Sequence, residues 1–123
     1  MQVIELSHPL KKHYLTILRD KNTSVEDFRT YASKLSYLLI LEGSKNISLS
    51  NKEIETPLTK TDGYEIENEN VAVSVLRAGL GLVDGVKDLI PNVSFGYIGV
   101  QRNEKTAEPE YYYENLPNLA NKN

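Results

Sequence analysis

No cysteine occurs in the 123 residues, which excludes a disulfide framework and any thiolate metal site. Histidine is almost as scarce: His8 and His13 are the only two, too few for a structural zinc. No run approaches the ~20 apolar residues of a membrane span. The opening MQVIELSHPLKK also lacks the cationic start and apolar core of a signal peptide, so the chain is read as cytoplasmic, with no membrane partner. Positive charge is not in excess either. Fourteen Lys and Arg against seventeen Asp and Glu leave a net −3, so nothing draws the chain as a whole to nucleic acid, and an anionic ligand must be met locally. Only four of the fourteen cations are arginines, Arg19, Arg29, Arg77 and Arg102. What is present is ordinary for a globular protein, 40% hydrophobic and 25% charged, and the length suits one domain over 1–123.

Apolar spacings of three and four after Pro9 predict a short amphipathic helix through Leu18. A second helix is expected to start at a cap on Thr23 or Ser24, with Glu26 completing a capping box on Thr23. It buries Val25, Phe28, Ala32, Leu35 and Leu39 and ends near Gly43 to Lys45. Asp62-Gly63 is a turn dipeptide, which predicts a peripheral hairpin of Glu53 to Lys60 and Tyr64 to Glu67, with Pro57 on an edge. Val71 to Leu76 reads as a buried parallel strand, Leu82 to Ile90 as a helix stopped by Pro91, and Val93 to Val100 as the next strand. Strand, helix and strand in this compass form a βαβ unit. A polar turn around Lys105 to Pro109 then leads into a tyrosine-rich strand, and 118–123 is expected to be a frayed tail.

In such a unit Arg77 and Arg102 lie just past the ends of neighbouring strands, at the edge where open α/β sheets bind ligands. The backbone amides of Ala78 to Gly81, leading into the next helix, share that edge, and Gly79 and Gly81 let the backbone come close to a guest. Guanidinium groups bind phosphate oxygens bidentately, so an anion, and a pyrophosphate in particular, is the natural ligand. The competing structural reading pairs Arg77 with Asp84 or Glu104 and leaves Arg102 solvated. Asp84 has three open roles: a magnesium ligand, a partner for Arg77, or a helix-terminal acid. GLGLVDG lacks the Lys-Ser/Thr of a P-loop, and Gln101-Arg102 stands where a dinucleotide fold wants an acid, so neither nucleotide-binding pattern applies.

Several stretches, in order along the whole chain, resemble the uracil phosphoribosyltransferase family: HPL at 8–10, LRDKNTS at 18–24, EIETPL at 53–58, LRAGLGLVDG at 76–85, IPNVSFGYIGVQRNEKT at 90–106 and EYYYENLP at 110–117. The resemblance implies an α/β, type I phosphoribosyltransferase-like parallel sheet with flanking helices, N-terminal helices and a β-hairpin arm. It further implies transfer of phosphoribose from phosphoribosyl pyrophosphate to uracil, giving UMP and pyrophosphate in pyrimidine salvage, with magnesium as cofactor and GTP as an effector in some members. By motif, Arg77 and Arg102 correspond to the family's two arginine contacts to phosphoribosyl pyrophosphate, with the backbone of Ala78 and Gly79 alongside and a non-proline cis peptide in the Arg-Ala-Gly loop. Gln101 departs from the aromatic residue common before that second arginine.

The stretch matches the N-terminal three fifths of the family pattern, stopping before the phosphoribosyl pyrophosphate loop and the uracil-recognising segment. It is therefore expected to be an incomplete domain, inactive alone, without an assigned catalytic residue or metal ligand of its own. Val71 to Leu76 or Val93 to Val100 would then present an uncovered edge, to be met by a further segment or by a second copy in a homo-oligomer. The alternative is a noncatalytic truncated paralogue that works through dimerisation or by binding a phosphate ligand. His8 and His13, on a short helix near the start, are given no chemical role. Tyr111 to Tyr113 reads as interface or core, with the middle ring buried by strand alternation.

Overall fold

A computed structural model of the chain describes residues 3–123. Two helices come first. In α1 (Pro9–Arg19), Pro9 occupies the first turn and His8 Nδ1 accepts from the Leu10 amide at 3.1 Å. In α2 (Val25–Gly43), Ser24 is the cap: its Oγ accepts from Asp27 N at 3.0 Å and donates to Asp27 Oδ2 at 2.9 Å. The capping frame is thus one residue later than Thr23 and Glu26 would give, because the Thr23 hydroxyl is committed to the Ile17 carbonyl at the end of α1. Among the described residues no helix is long and apolar enough to cross a membrane.

The hairpin arm is present, with its turn elsewhere than predicted. β1 (Leu49–Glu55) pairs antiparallel with β2 (Lys60–Ile66), and the chain reverses at 56–59. Thr56 builds that reversal: its Oγ1 accepts from Thr59 N at 3.1 Å and donates to Thr59 O at 2.7 Å, and Pro57 follows with the backbone angle that turns favour. Asp62 and Gly63 instead lie within β2, opposite Glu53 and Lys52. A side-chain-closed Thr-Pro turn prevailed over the Asp-Gly dipeptide.

The second sheet runs β3–β4–β5. β3 (Asn70–Leu76) and β4 (Val93–Arg102) are parallel, from Asn70 opposite Val93 to Leu76 opposite Gly99, and α3 (Val83–Leu89) crosses between them. β5 (Pro109–Asn115) returns antiparallel to β4, as the tyrosine-rich strand was expected to do. Its alternation is broken by a bulge: Tyr113 faces Gly99 and Tyr111 faces Val100, so Tyr112 is an unpaired extra residue. The middle ring is consequently not buried; Tyr111, Tyr112 and Tyr113 are 76%, 52% and 45% exposed.

Helix α3 lies against α2 at a contact that only glycine permits. Ser36 is fully buried, donates to the Ser33 carbonyl at 2.6 Å and accepts from the Gly85 amide at 3.1 Å. A Cβ on Gly85 would stand 2.8 Å from the Ser36 carbonyl carbon. Tyr37 adds a hydrogen bond from its hydroxyl to Asp88 on α3.

β3 has β4 on one side only, and Val73 and Val75 remain 43% and 51% exposed, so β3 is the strand that carries the expected open edge. Among the described residues no apolar side chain is fully enclosed. An apolar groove lined by Ile40, Val73, Val86, Ile90 and Phe95 runs between the helices and this edge. The start of the edge is occupied by the end of the chain. Asn123 N donates to Glu69 O at 2.9 Å, Val71 N donates to Asn123 O at 3.0 Å, and Asn123 Nδ2 donates to Asn68 O at 3.1 Å. Asn123 is thus joined to the start of β3, whose backbone offers it ladder partners.

Candidate functional site

β3 delivers Leu76 opposite Gly99, so Arg77 emerges level with Val100 of β4, and Arg102 is two residues farther along that strand. Both arginines sit at the C-terminal edge of the parallel pair, as the βαβ reading required. Arg102 is the last residue of β4, opposite Pro109, where the sequence had placed it just beyond the strand.

The peptide bond between Leu76 and Arg77 is cis, in the Arg-Ala-Gly loop where the resemblance placed one. Beyond it, Ala78–Leu82 winds into a tight 3₁₀ turn, with Leu80 N donating to Arg77 O at 3.2 Å and Val83 N to Leu80 O. The expected run of open amides is therefore partly closed on itself, and α3, only seven residues long, follows without a side-chain cap. Gly79 lies over Ser74 of β3: a Cβ there would come within 2.6 Å of Ser74 Oγ. That hydroxyl is buried and has no hydrogen-bond partner among the described residues.

Charge is distributed unevenly around this edge. Among the described residues five ion pairs form, all made by lysines. Among the described residues neither Arg77 nor Arg102 has a carboxylate within pairing distance, so the competing partners Asp84 and Glu104 do not take up Arg77. Asp84 stands in the first turn of α3, one of its three open roles. A cleft is lined by Leu76, Arg77, Ala78, Val100, Gln101 and Tyr112.

The sequence matches the family described as uracil phosphoribosyltransferase over residues 5–123. The chain belongs to the uracil phosphoribosyltransferase family. It is 48% identical over 118 residues to the uracil phosphoribosyltransferase of Wolinella succinogenes, covering 95% of this chain and 57% of that protein. To the Campylobacter concisus uracil phosphoribosyltransferase it is 42% identical over 121 residues, covering 98% and 58%. The solved structure of the AQ2163 protein from Aquifex aeolicus superposes with a TM-score of 0.85 at 38% identity, over 94% of this chain and 56% of that one. The chain thus spans rather more than half the length of these relatives, and the α/β, phosphoribosyltransferase-like fold expected from the motifs is the fold observed.

Within this family framework, several residues near the arginines escaped the sequence reading. Tyr112 reaches the Arg77 cleft because of the bulge. Gln101, noted only as a departure from an aromatic, donates from Nε2 to Glu110 Oε2 at 3.4 Å, and Asn103 Nδ2 donates to Glu110 Oε1 at 2.8 Å. Cross-strand register could have revealed the Gln101–Glu110 pair; nothing local announced the bulge. The histidines do structural work: His8 caps α1, and the His13 ring packs 5.8 Å and 6.0 Å from Tyr14 and Tyr31.

Proposed function

We propose that the whole protein transfers phosphoribose from phosphoribosyl pyrophosphate to uracil, forming UMP and releasing pyrophosphate, and that Arg77 and Arg102 receive the diphosphate. The observation that carries this reading is the pair of arginines at one sheet edge with no carboxylate of the described chain neutralising either. A guanidinium already paired inside the protein would have to break that pair to meet a substrate; these two need not.

The chemistry explains why cations belong there. As the bond from ribose C1 to the pyrophosphate oxygen lengthens, positive charge develops on the ribose and negative charge gathers on the leaving diphosphate. Uracil N1 then closes on C1 and gives up its proton to solvent or to the departing pyrophosphate. Fixed donors aimed at the departing oxygens stabilise that separation without reorganising at the moment of reaction. Arg77, just past the end of β3, and Arg102, the last residue of β4, are such donors. Among the described residues no three histidine or acidic side chains stand together as a metal-binding group. Magnesium is proposed to arrive with the diphosphate, as its counter-ion. The open apolar edge of β3 supports association with a further segment or a second copy.

The test is steady-state UMP formation by the full-length protein. Replacing Arg77 or Arg102 by Ala removes a charge-assisted contact and should lower kcat/KM for phosphoribosyl pyrophosphate by roughly 10- to 100-fold, from about 1.5–3 kcal/mol per contact. Circular dichroism should remain native. Wild-type kinetics in both variants would overturn the assignment of the diphosphate to this edge.

A further inference from the structure

We infer that Glu110 is a positioning residue for Arg102, acting through the two side chains that flank it; this rests on the assignment of Arg102 to the diphosphate. Gln101 of β4 and Glu110 of β5 are direct cross-strand partners, and the Gln101 amide donates to Glu110 Oε2 at 3.4 Å. Asn103, on the other side of Arg102, donates from Nδ2 to Glu110 Oε1 at 2.8 Å. One carboxylate therefore holds both neighbours of the arginine, one per oxygen.

The second consequence concerns the Asn103 amide, whose two ends are chemically opposite. With its NH₂ drawn to the carboxylate, its oxygen must point the other way, and there Asn103 Oδ1 accepts from Lys105 N at 2.9 Å and Thr106 N at 3.1 Å. A flipped amide would set oxygen against carboxylate and lose both turn contacts. The Asn103 backbone closes the same turn, its N donating to Glu108 O and its O accepting from Ala107 N, each at 2.8 Å. Glu110 thus orients the side chain that organises the loop immediately after Arg102.

Arg102 itself is left out of this network. Its cross-strand partner is Pro109, which has no polar side chain, and successive strand residues point to opposite faces. Glu110, with both oxygens engaged by neutral amides, does not capture the guanidinium as an ion pair. An acid one residue from the arginine's cross-strand partner would be expected to compete with a diphosphate; here it fixes the arginine's backbone while leaving the charge available.

The experiment compares full-length wild-type protein with Glu110→Ala, Glu110→Gln, Arg102→Ala and the Glu110→Ala/Arg102→Ala double variant in UMP formation. Glu110→Ala should raise KM for phosphoribosyl pyrophosphate by about tenfold and leave KM for uracil within about twofold, since misplacement of a contacting group is costly at that group alone. Glu110→Gln keeps one acceptor oxygen and should restore most of the loss, leaving a rise of about two- to threefold. In the Arg102→Ala background, Glu110→Ala should add nothing, because the group it positions is gone. Wild-type KM in Glu110→Ala, or full additivity in the double variant, overturns the inference while leaving the assignment of Arg102 intact. An unchanged KM in Arg102→Ala would instead remove that assignment, and this inference with it. If Glu110→Ala fails to fold, Glu110→Gln decides: a rise confined to phosphoribosyl pyrophosphate supports the inference, and none overturns it.

Discussion

The β1–β2 hairpin and the β3–β4 edge both carry cations and glycine, lysines in the first and arginines in the second, and use the cations in opposite ways. In the hairpin, cations are consumed locally: Lys52 meets Glu65 at 2.6 Å and Lys60 meets Glu53 at 3.2 Å, across the ladder. Its turn closes on the side chain of Thr56, within the same few residues. At the β3–β4 edge the arginines have no ion-pair partner among the described residues, and the elements around them are held partly by a distant contact, Ser36 under Gly85, and partly by the nearer Glu110. A segment that satisfies its own charges can project from the body of the protein. At Arg102 the charge stays available while the residues on either side of it are held by Glu110.

This contrast is open to direct attack. The largest expected effect is Gly85→Ala, which pushes a methyl group to 2.8 Å from the Ser36 backbone and should cost about 1–3 kcal/mol in urea unfolding. A neutral result would mean that α2 and α3 can separate without consequence, and the dependence of this region on distant contacts would be lost. Gly63→Ala, in the hairpin, comes no nearer than 3.3 Å to the Ile54 side chain and the Lys52 carbonyl, and should change stability by less than about 1 kcal/mol. Equal losses at the two glycines would break the comparison.

Smaller still is Lys52→Met. The hydrogen bond to Glu65 raises the Lys52 ammonium above the usual lysine range, so its contribution is complete below the unfolded lysine value and is lost as pH rises through the raised one. The pair is solvent-exposed, so the melting temperature should move little at neutral pH, and the difference should vanish at high salt. Smallest in stability, yet readable by spectroscopy, is Tyr37. Its hydrogen bond to Asp88, followed by burial, raises the phenol above its ordinary value. The protonated form is thus favoured in the folded chain: the contribution is full below the unfolded phenol value and is lost as pH rises through the raised one. Phenolate absorbance should show one late-ionising tyrosine that Tyr37→Phe removes; if the late step survives in that variant, the α2–α3 link is misassigned.

What the sequence by itself determined is the set of features governed by neighbours a few residues apart. Val71 to Leu76 is β-branched enough to be a strand, the apolar spacing after Leu82 is helical, and Pro91 stops it, so the βαβ unit and the position of Arg77 at its edge were legible without coordinates. The order of the motifs likewise pointed to the family that the comparisons establish. Only the tertiary structure decided where strands shift and what holds the site's surroundings. Asp62-Gly63 has the composition of a turn, yet the Thr56 hydroxyl closes the reversal earlier and draws the dipeptide into β2. Tyr112 becomes a bulge, and lines the Arg77 cleft, at the point where the register of β5 on β4 shifts by one residue. Glu110 clasps both neighbours of Arg102 only once β4 and β5 are paired. Helix and strand propensities are carried by short stretches of chain, whereas register and unpaired charge depend on which distant surfaces come to lie together.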